Sequence, residues 1–354
     1  MSATAPTQII VGPEGNGVVD YAMDLAEAIR RRRPSTVIVR HAVVAGTASV
    51  ARSHPRAHLH VTDALFGESL EAAGDALAEV VSAAPTSVTL HDVPQESDGE
   101  RNLVRRGDVY RRIASLAVGV AVSSRHEADL VRRHLCPGLE PRVVPLGTRR
   151  PSTPGEASES ASEAIRRTAP GRPVETIRIL VAGYVYPGKG HDDVVRAAAV
   201  VSSRLGRPVT VTALGGAARG HAHEVESLNE LATSNGVSFE VTGFLSGDDY
   251  RALCRADGVP VVAHRHYSAS RSLLDWGEQG RRAVVVDNAY AHEMAALRPG
   301  TLDVVAPGLE TLADAIEARV QEPATTYLAA GHPLSPTLDD AAGAYLAWWD
   351  GLAW

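Results

Sequence analysis

The chain reads as two doubly wound α/β domains in succession. Three observations predict this. Short strands alternate with helical patterns along both halves, a Pro-, Ser-, Glu- and Ala-rich segment parts the halves, and a glycine turn carrying the single lysine joins a strand to a helix in the second half. Strands apolar on both faces, separated by helices, indicate parallel sheets covered on both sides. At 354 residues and 44% hydrophobic, the chain can bury two ordinary cores.

In the first half, strands are predicted at Gln8–Gly12, Thr36–Val44, Ser87–His91, Val118–Ser123 and Arg142–Leu146. Helices are predicted at Val18–Arg32, Phe66–Ala83, Arg101–Leu116 and Arg125–His134. These make a domain over 1–148. Residues 149–173 (RRPSTPGEASESASEAIRRTAPGRP) show no buried face until a short helical stretch near Glu163, and read as a linker. A second domain spans 174–335. Its strands fall at Ile177–Ala182, Val209–Leu214, Val237–Val241, Val259–Ala263, Ala283–Asp287 and Asp303–Val305, with helices at His191–Leu205, Glu224–Ser234, Gly247–Ala256, Ser272–Gln279 and Leu309–Val320. Residues 336–354 form an aromatic C-terminal helix. It holds three of the four tryptophans, which suits packing back against a domain.

Composition excludes several classes. A net charge of −7 argues against a nucleic-acid partner. No run of 18 apolar residues spans a membrane, and the first residues show no secretory pattern. Cys136 and Cys254 have no metal-like spacing and read as free thiols, so a cytoplasmic setting is expected. Heavy Ala and Arg use with one lysine looks like a high-GC bacterial genome. Two arginine runs, Arg30–Arg33 and Arg101 to Arg112, fit either solvated helix faces or a patch for an anionic acceptor or an acidic membrane surface.

The lysine is Lys189, against 34 arginines. It lies in Tyr184–Gly190 (YVYPGKG), between the strand Ile177–Gly183 and the helix His191–Leu205. A glycine turn opening a helix at the carboxyl end of a parallel strand gathers backbone N–H groups and the positive end of the helix dipole, which together hold a phosphate. The alternative is a lysine stranded in a surface loop. Gly15-Asn16-Gly17 likewise either brings backbone close to a ligand or forms an ordinary strand-to-helix turn. GPEGNG lacks the Gly-x-Gly-x-x-Gly spacing, and no acidic residue closes the second strand, so a dinucleotide dehydrogenase is set aside.

GYVYPGKGHDDVVRAA, VSFEVTGFLSGDDYRALCRADGVPVV and SASRSLLDWGEQGRRAVVVDN resemble, in that order, the donor-site segments of the retaining nucleotide-sugar glycosyltransferases of the GT-B fold, glycosyltransferase family 4. GPEGNGVVDYAMDLAEAI, TLHD, VSSRHEADLV and VVPLGT resemble its N-terminal landmarks. The resemblance implies two Rossmann-like domains facing a cleft. It implies transfer of a hexose from a UDP- or GDP-linked donor to a hydroxyl acceptor, with retention, without a metal or other cofactor, and with no obligate protein partner. Peripheral contact with the inner membrane face is compatible with it.

The same resemblance assigns roles. Lys189 and Gly188 would meet the diphosphate, Ser270, Arg271 and Ser272 the phosphate from the next helix, and Asp275 the ribose. The Gly243-Phe244 turn would lie beside the nucleobase, and His91, at a strand's carboxyl end, beside the transferred sugar. Gly15 and Gly17 would face the donor or acceptor. There are departures. Tyr184 stands where the family has an arginine, leaving Arg265 or Arg271 to supply that charge, and Tyr267 stands where it has a glutamate. They support an alternative: a catalytically degenerate GT-B protein that binds a nucleotide sugar or a partner without transfer. An epimerase or hydrolase of this fold would need a carboxylate pair that the sequence does not show.

Overall fold

The computed structural model describes residues 4–149 and 176–354. The predicted linker, apart from Arg149, therefore lies outside the described residues. Val, Ile, Leu and Ala, which fit a pleated surface buried on both faces, supply the strands. In the first unit these are β1 (Thr7–Val11), β2 (Ile38–His41), β3 (Ala57–Val61), β4 (Thr86–Leu90), β5 (Gly119–Val122) and β6 (Arg142–Val143). They pair in parallel in the order β2-β1-β3-β4-β5-β6. The helices are α1 (Gly17–Arg32), α2 (Thr47–Arg52), α3 (Leu70–Ser82), α4 (Glu100–Leu116) and α5 (Arg125–Leu130), the last continuing as a π turn over Val131–Leu135.

The second unit repeats the plan. Its strands β7 (Ile177–Ala182), β8 (Val209–Leu214), β9 (Ser238–Val241), β10 (Val259–Val262), β11 (Ala283–Val286) and β12 (Leu302–Val305) pair in parallel in the order β12-β11-β10-β7-β8-β9. Its helices are α6 (His191–Leu205), α7 (Ala222–Ser234), α8 (Gly247–Arg255), α9 (Arg271–Glu278), α10 (Ala289–Leu297) and α11 (Leu309–Gln321). In each sheet the direction of winding reverses once, between β1 and β3 and between β7 and β10. Ligands of doubly wound sheets bind outside the carboxyl ends of the strands at such a reversal.

The chain divides into Met1–Arg149 with Ser335–Trp354, and Arg150–Leu334. The C-terminal helix α12 (Leu338–Asp350) groups with the first unit. Leu338 donates its N–H to the Thr148 carbonyl at 2.9 Å, Arg32 pairs with Asp339 at 2.6 Å, and Trp349 is buried. Among the described residues, no helix is long and apolar enough to cross a membrane.

Several expectations need correction. The strand β3 and the helices α2 and α10 are absent from the sequence reading. The Thr36–Val44 strand shrinks to Ile38–His41, and the Arg142–Leu146 strand to two residues. The Phe66–Ala83 helix starts only at Leu70, because Ser69 caps it by accepting from the Ala72 N–H at 3.2 Å.

Candidate active site

The Lys189 turn sits at the β7/β10 reversal. Gly183 leaves β7 with φ +102°, and a Cβ there would stand 3.0 Å from Lys189 Nζ, so the glycine makes room for the ammonium. The Gly188 carbonyl accepts the Arg265 N–H at 2.7 Å, stapling the turn to the loop after β10. Lys189 itself is buried, and Nζ donates to Ser272 Oγ at 3.0 Å. Burial pulls its pKa down to about 7, against which Asp275 favours the charged form. Two buried imidazoles nearby, His191 and His264, are neutral. Burial, then the Lys189 charge, lowers His191 to about 3 and His264 well below its ordinary range.

Ser270 caps α9, its Oγ accepting from the Leu273 N–H at 3.3 Å, while its own N–H is taken by the Tyr290 hydroxyl at 3.0 Å. That amide is committed to the protein, which leaves the Ser270 hydroxyl, 3.3 Å from Ser272 Oγ, as the group of this residue that can meet a phosphate. Ser272, in the first turn of α9, remains with Lys189. Asp275, one turn on, pairs with Arg271 Nε at 3.0 Å and accepts from the Tyr250 hydroxyl at 3.0 Å. Arg271 also pairs with the buried Glu278. Arg265 pairs with Asp192 at 2.7 Å and Asp193 at 2.6 Å. Both arginines that could replace the missing charge at Tyr184 are thus neutralised by carboxylates. Tyr267 is buried, its hydroxyl donating to the Val286 carbonyl at 3.3 Å, and a phenol cannot offer a sugar hydroxyl the carboxylate that a glutamate would.

The Gly243-Phe244 turn follows β9. Gly243 has φ +75°, and Phe244 is 76% exposed, a large apolar ring left in water beside the sheet's carboxyl edge. The turn is knitted to its neighbours by Gly215, which donates its N–H to Thr242 Oγ1 at 3.0 Å. A Cβ on Gly215 would meet the Gly183 carbonyl oxygen at 2.4 Å, so the turns after β7 and β8 are in backbone contact.

In the first unit, Gly15 has φ +79° and donates its N–H to Asp20 at 3.2 Å, while Asn16 caps α1. A Cβ on Gly17 would meet nothing within 4 Å. His91 follows β4 and is 4% exposed, and its Nε2 lies 2.9 Å from His60 Nδ1 on β3. His58, two residues back on the same face, contacts Ser87 Oγ at 2.9 Å and Thr89 Oγ1 at 3.1 Å, and Thr89 meets the Tyr345 hydroxyl of α12 at 2.7 Å. His58, His60, Tyr250, Glu278 and Tyr345 went unread in the sequence. For the two histidines a signal existed, the alternation in AHLHV that puts both on one face of a strand.

Four of the five arginines between Arg101 and Arg112 are held in ion pairs. Arg105 meets Glu71, Arg111 meets Asp108, and Arg112 meets Asp75. Arg106 lies under the loop after His91 and pairs with Asp63, Asp92 and Asp98. Those four are neutralised by carboxylates, while Arg101 is exposed. One trio among the described residues has ligand atoms close enough for a metal, His221, His223 and Glu224, within 4.8 Å of one another. A tetrahedral zinc brings its ligands to roughly 3.4 Å, so the trio would have to close in to hold one.

Burial pulls His91 down to about 4 and His58 to about 3, and holds His60 well below its ordinary range. In the unfolded chain each titrates near pH 6.5. The unfolded state therefore binds more protons below pH 6.5, and stability falls as the pH drops from 6.5 to about 4. For His91 alone the loss is about 3 kcal/mol. The thermal midpoint is expected to decline from pH 6.5 downward, before carboxylates titrate. A midpoint flat between pH 6.5 and 5 would contradict the burial of these rings.

No family model matches the chain. Over 196 residues it is 31% identical to the D-inositol 3-phosphate glycosyltransferase of Salinispora arenicola, a match covering 53% of this chain and 43% of that protein. The chain thus spans less than half the length of that relative. Solved structures match nearly end to end. Anabaena HepE in complex with UDP and glucose superposes with a TM-score of 0.68 at 15% identity, over 98% of this chain and 95% of that one. The chain has the GT-B fold. The sucrose-phosphate synthase of Thermosynechococcus elongatus, at a TM-score of 0.63, 15% identity and coverage of 98% and 96%, shares this GT-B architecture. So does a glycosyltransferase from Rickettsia africae, at 0.61, 13% identity, 98% and 94%.

Proposed function

We propose that this GT-B protein is a glycosyltransferase that moves a hexose from a nucleoside-diphosphate sugar to a hydroxyl acceptor. The observation that carries this reading is Lys189. It is a buried ammonium with one hydroxyl partner, at the N-terminus of α6 and against the first turn of α9. A desolvated cation between two helix starts is preorganised for the charge that develops on a leaving diphosphate. Asp275, held by Tyr250 and Arg271 one turn further on, is the carboxylate this reading gives to the ribose hydroxyls. The solved GT-B structure with UDP and glucose supports a uridine donor as the first to try. Retention and independence of a metal are both carried over from the family 4 resemblance.

A second reading is a protein that binds the donor without transferring from it. Tyr267 favours it, because a core phenol occupies the position of a sugar-binding glutamate. The two readings separate when the protein is incubated with UDP- and GDP-sugars, with and without simple hydroxyl acceptors. Release of nucleoside diphosphate with a product whose anomeric configuration matches the donor's, by proton NMR, supports transfer. Saturable binding without turnover supports the second reading.

A further inference from the structure

His60 and His91 come from different strands, 31 residues apart, and meet nitrogen to nitrogen at 2.9 Å. Their ring planes differ by 24° with centroids 5.2 Å apart, so the contact is end-on in nearly one plane. Both rings are buried, and both are neutral at pH 7. Two neutral imidazoles in such contact share one proton between the facing nitrogens, so each ring's tautomer dictates the other's.

The far side of His60 decides which. His60 Nε2 is buried and has no hydrogen-bond partner among the described residues. Were His91 the donor, His60 would carry its proton on Nε2, leaving a buried N–H unsatisfied. Were His60 the donor, only a lone pair would be orphaned there, which costs less. His60 is held in place for this by its neighbours. His58 sits edge-on to it at 5.0 Å and is itself fixed by Ser87 and Thr89, and Tyr21 lies edge-on at 6.1 Å.

We infer that His60 is a positioning residue that donates from Nδ1 to His91 Nε2, fixing His91 as the tautomer that carries its proton on Nδ1. His91 then presents a neutral N–H donor from the carboxyl end of β4, suited to a sugar oxygen and unable to act as a base at that atom. The catalytic half of this inference rests on the glycosyltransferase reading above; the tautomer half does not.

The test is a proton–nitrogen correlation spectrum of protein labelled with ¹⁵N-histidine, with His91 identified by its absence in His91→Asn. The expected result is a protonated Nδ1 and a bare Nε2 on His91. That pattern should survive in His60→Asn, whose amide N–H can replace the Nδ1 donor, and should be lost in His60→Leu and His60→Asp, with folding checked by thermal unfolding. A His91 protonated on Nε2 in the wild type, or a His91 spectrum unchanged in His60→Leu, overturns the proposal. On turnover of a UDP-sugar, His60→Leu is expected to lower kcat about tenfold with the donor KM unchanged, and His60→Asn to recover most of it. A wild type that turns over none of the UDP- and GDP-sugars would sink the glycosyltransferase reading while the spectrum still decides the positioning claim.

Discussion

Replacing Lys189 with Met is expected to weaken nucleoside diphosphate binding at least tenfold, about 1.4 kcal/mol, and to cut any transfer rate by about 10²–10³. It is also expected to make the empty protein more stable. The two effects have one cause. Lys189 is buried with one hydroxyl partner, and burial pulls its pKa down to about 7. The unfolded chain holds that proton up to about pH 10.4. Between pH 7 and 10 the unfolded state therefore binds more protons, so this lysine costs stability, and the cost shrinks as the pH rises through that window. Met fills a similar volume without the charge. Its gain at pH 7 is on the order of 1–4 kcal/mol, read as a higher thermal midpoint without ligand. A lysine stranded by chance in a loop would give neither change. Loss of stability together with unchanged binding would contradict the assignment.

Gly190→Ala is expected to be the most damaging single methyl in the second unit. Gly190 has φ +79°, and an added Cβ would lie 1.9 Å from the carbonyl oxygen of Ala263. Backbone cannot yield as a side-chain tip does, so overpacking adds to the strain of a left-handed alanine. The sum is about 3 kcal/mol or more, with the Lys189 turn displaced even in molecules that fold. Gly206→Ala is the control. That residue caps the far end of α6 at φ +62°, and a Cβ there would meet nothing within 4 Å. Only the conformational strain remains, about 1 kcal/mol. Equal losses in the two variants, by thermal or urea unfolding, would show that the close approach of the turn to β10 is wrong.

Much of the fold was legible because buried parallel strands write themselves as runs of Val, Ile and Leu. β7 and β8 were read within their observed bounds. β3 was not, since His58 and His60 break its apolar run, and only tertiary burial keeps those rings neutral inside a sheet. α10 escaped because Ala289–Leu297 shows no clear apolar stripe. The Lys189 turn was legible as a local pattern, glycine next to lysine between a strand and a helix. Its partners were not. Tyr250 lies 25 residues from Asp275 and His60 31 from His91, and no local period links residues brought together by neighbouring strands and loops. The arginine stripe shows the opposite failure. Its pattern was visible, but the neutralising Asp63, Glu71, Asp75 and Asp92 come from elsewhere in the chain.

The claim that Lys189 meets the diphosphate is tested most directly by calorimetric titration of UDP at pH 8, in buffers of different ionisation enthalpy, into the wild type and Lys189→Met. With its pKa at about 7 the free lysine is mostly neutral at that pH. A bound diphosphate restores the charge, so binding should take up about 0.9 proton in the wild type and almost none, with weaker affinity, in the variant. Binding that takes up no proton, or the same number in both proteins, would place the diphosphate elsewhere.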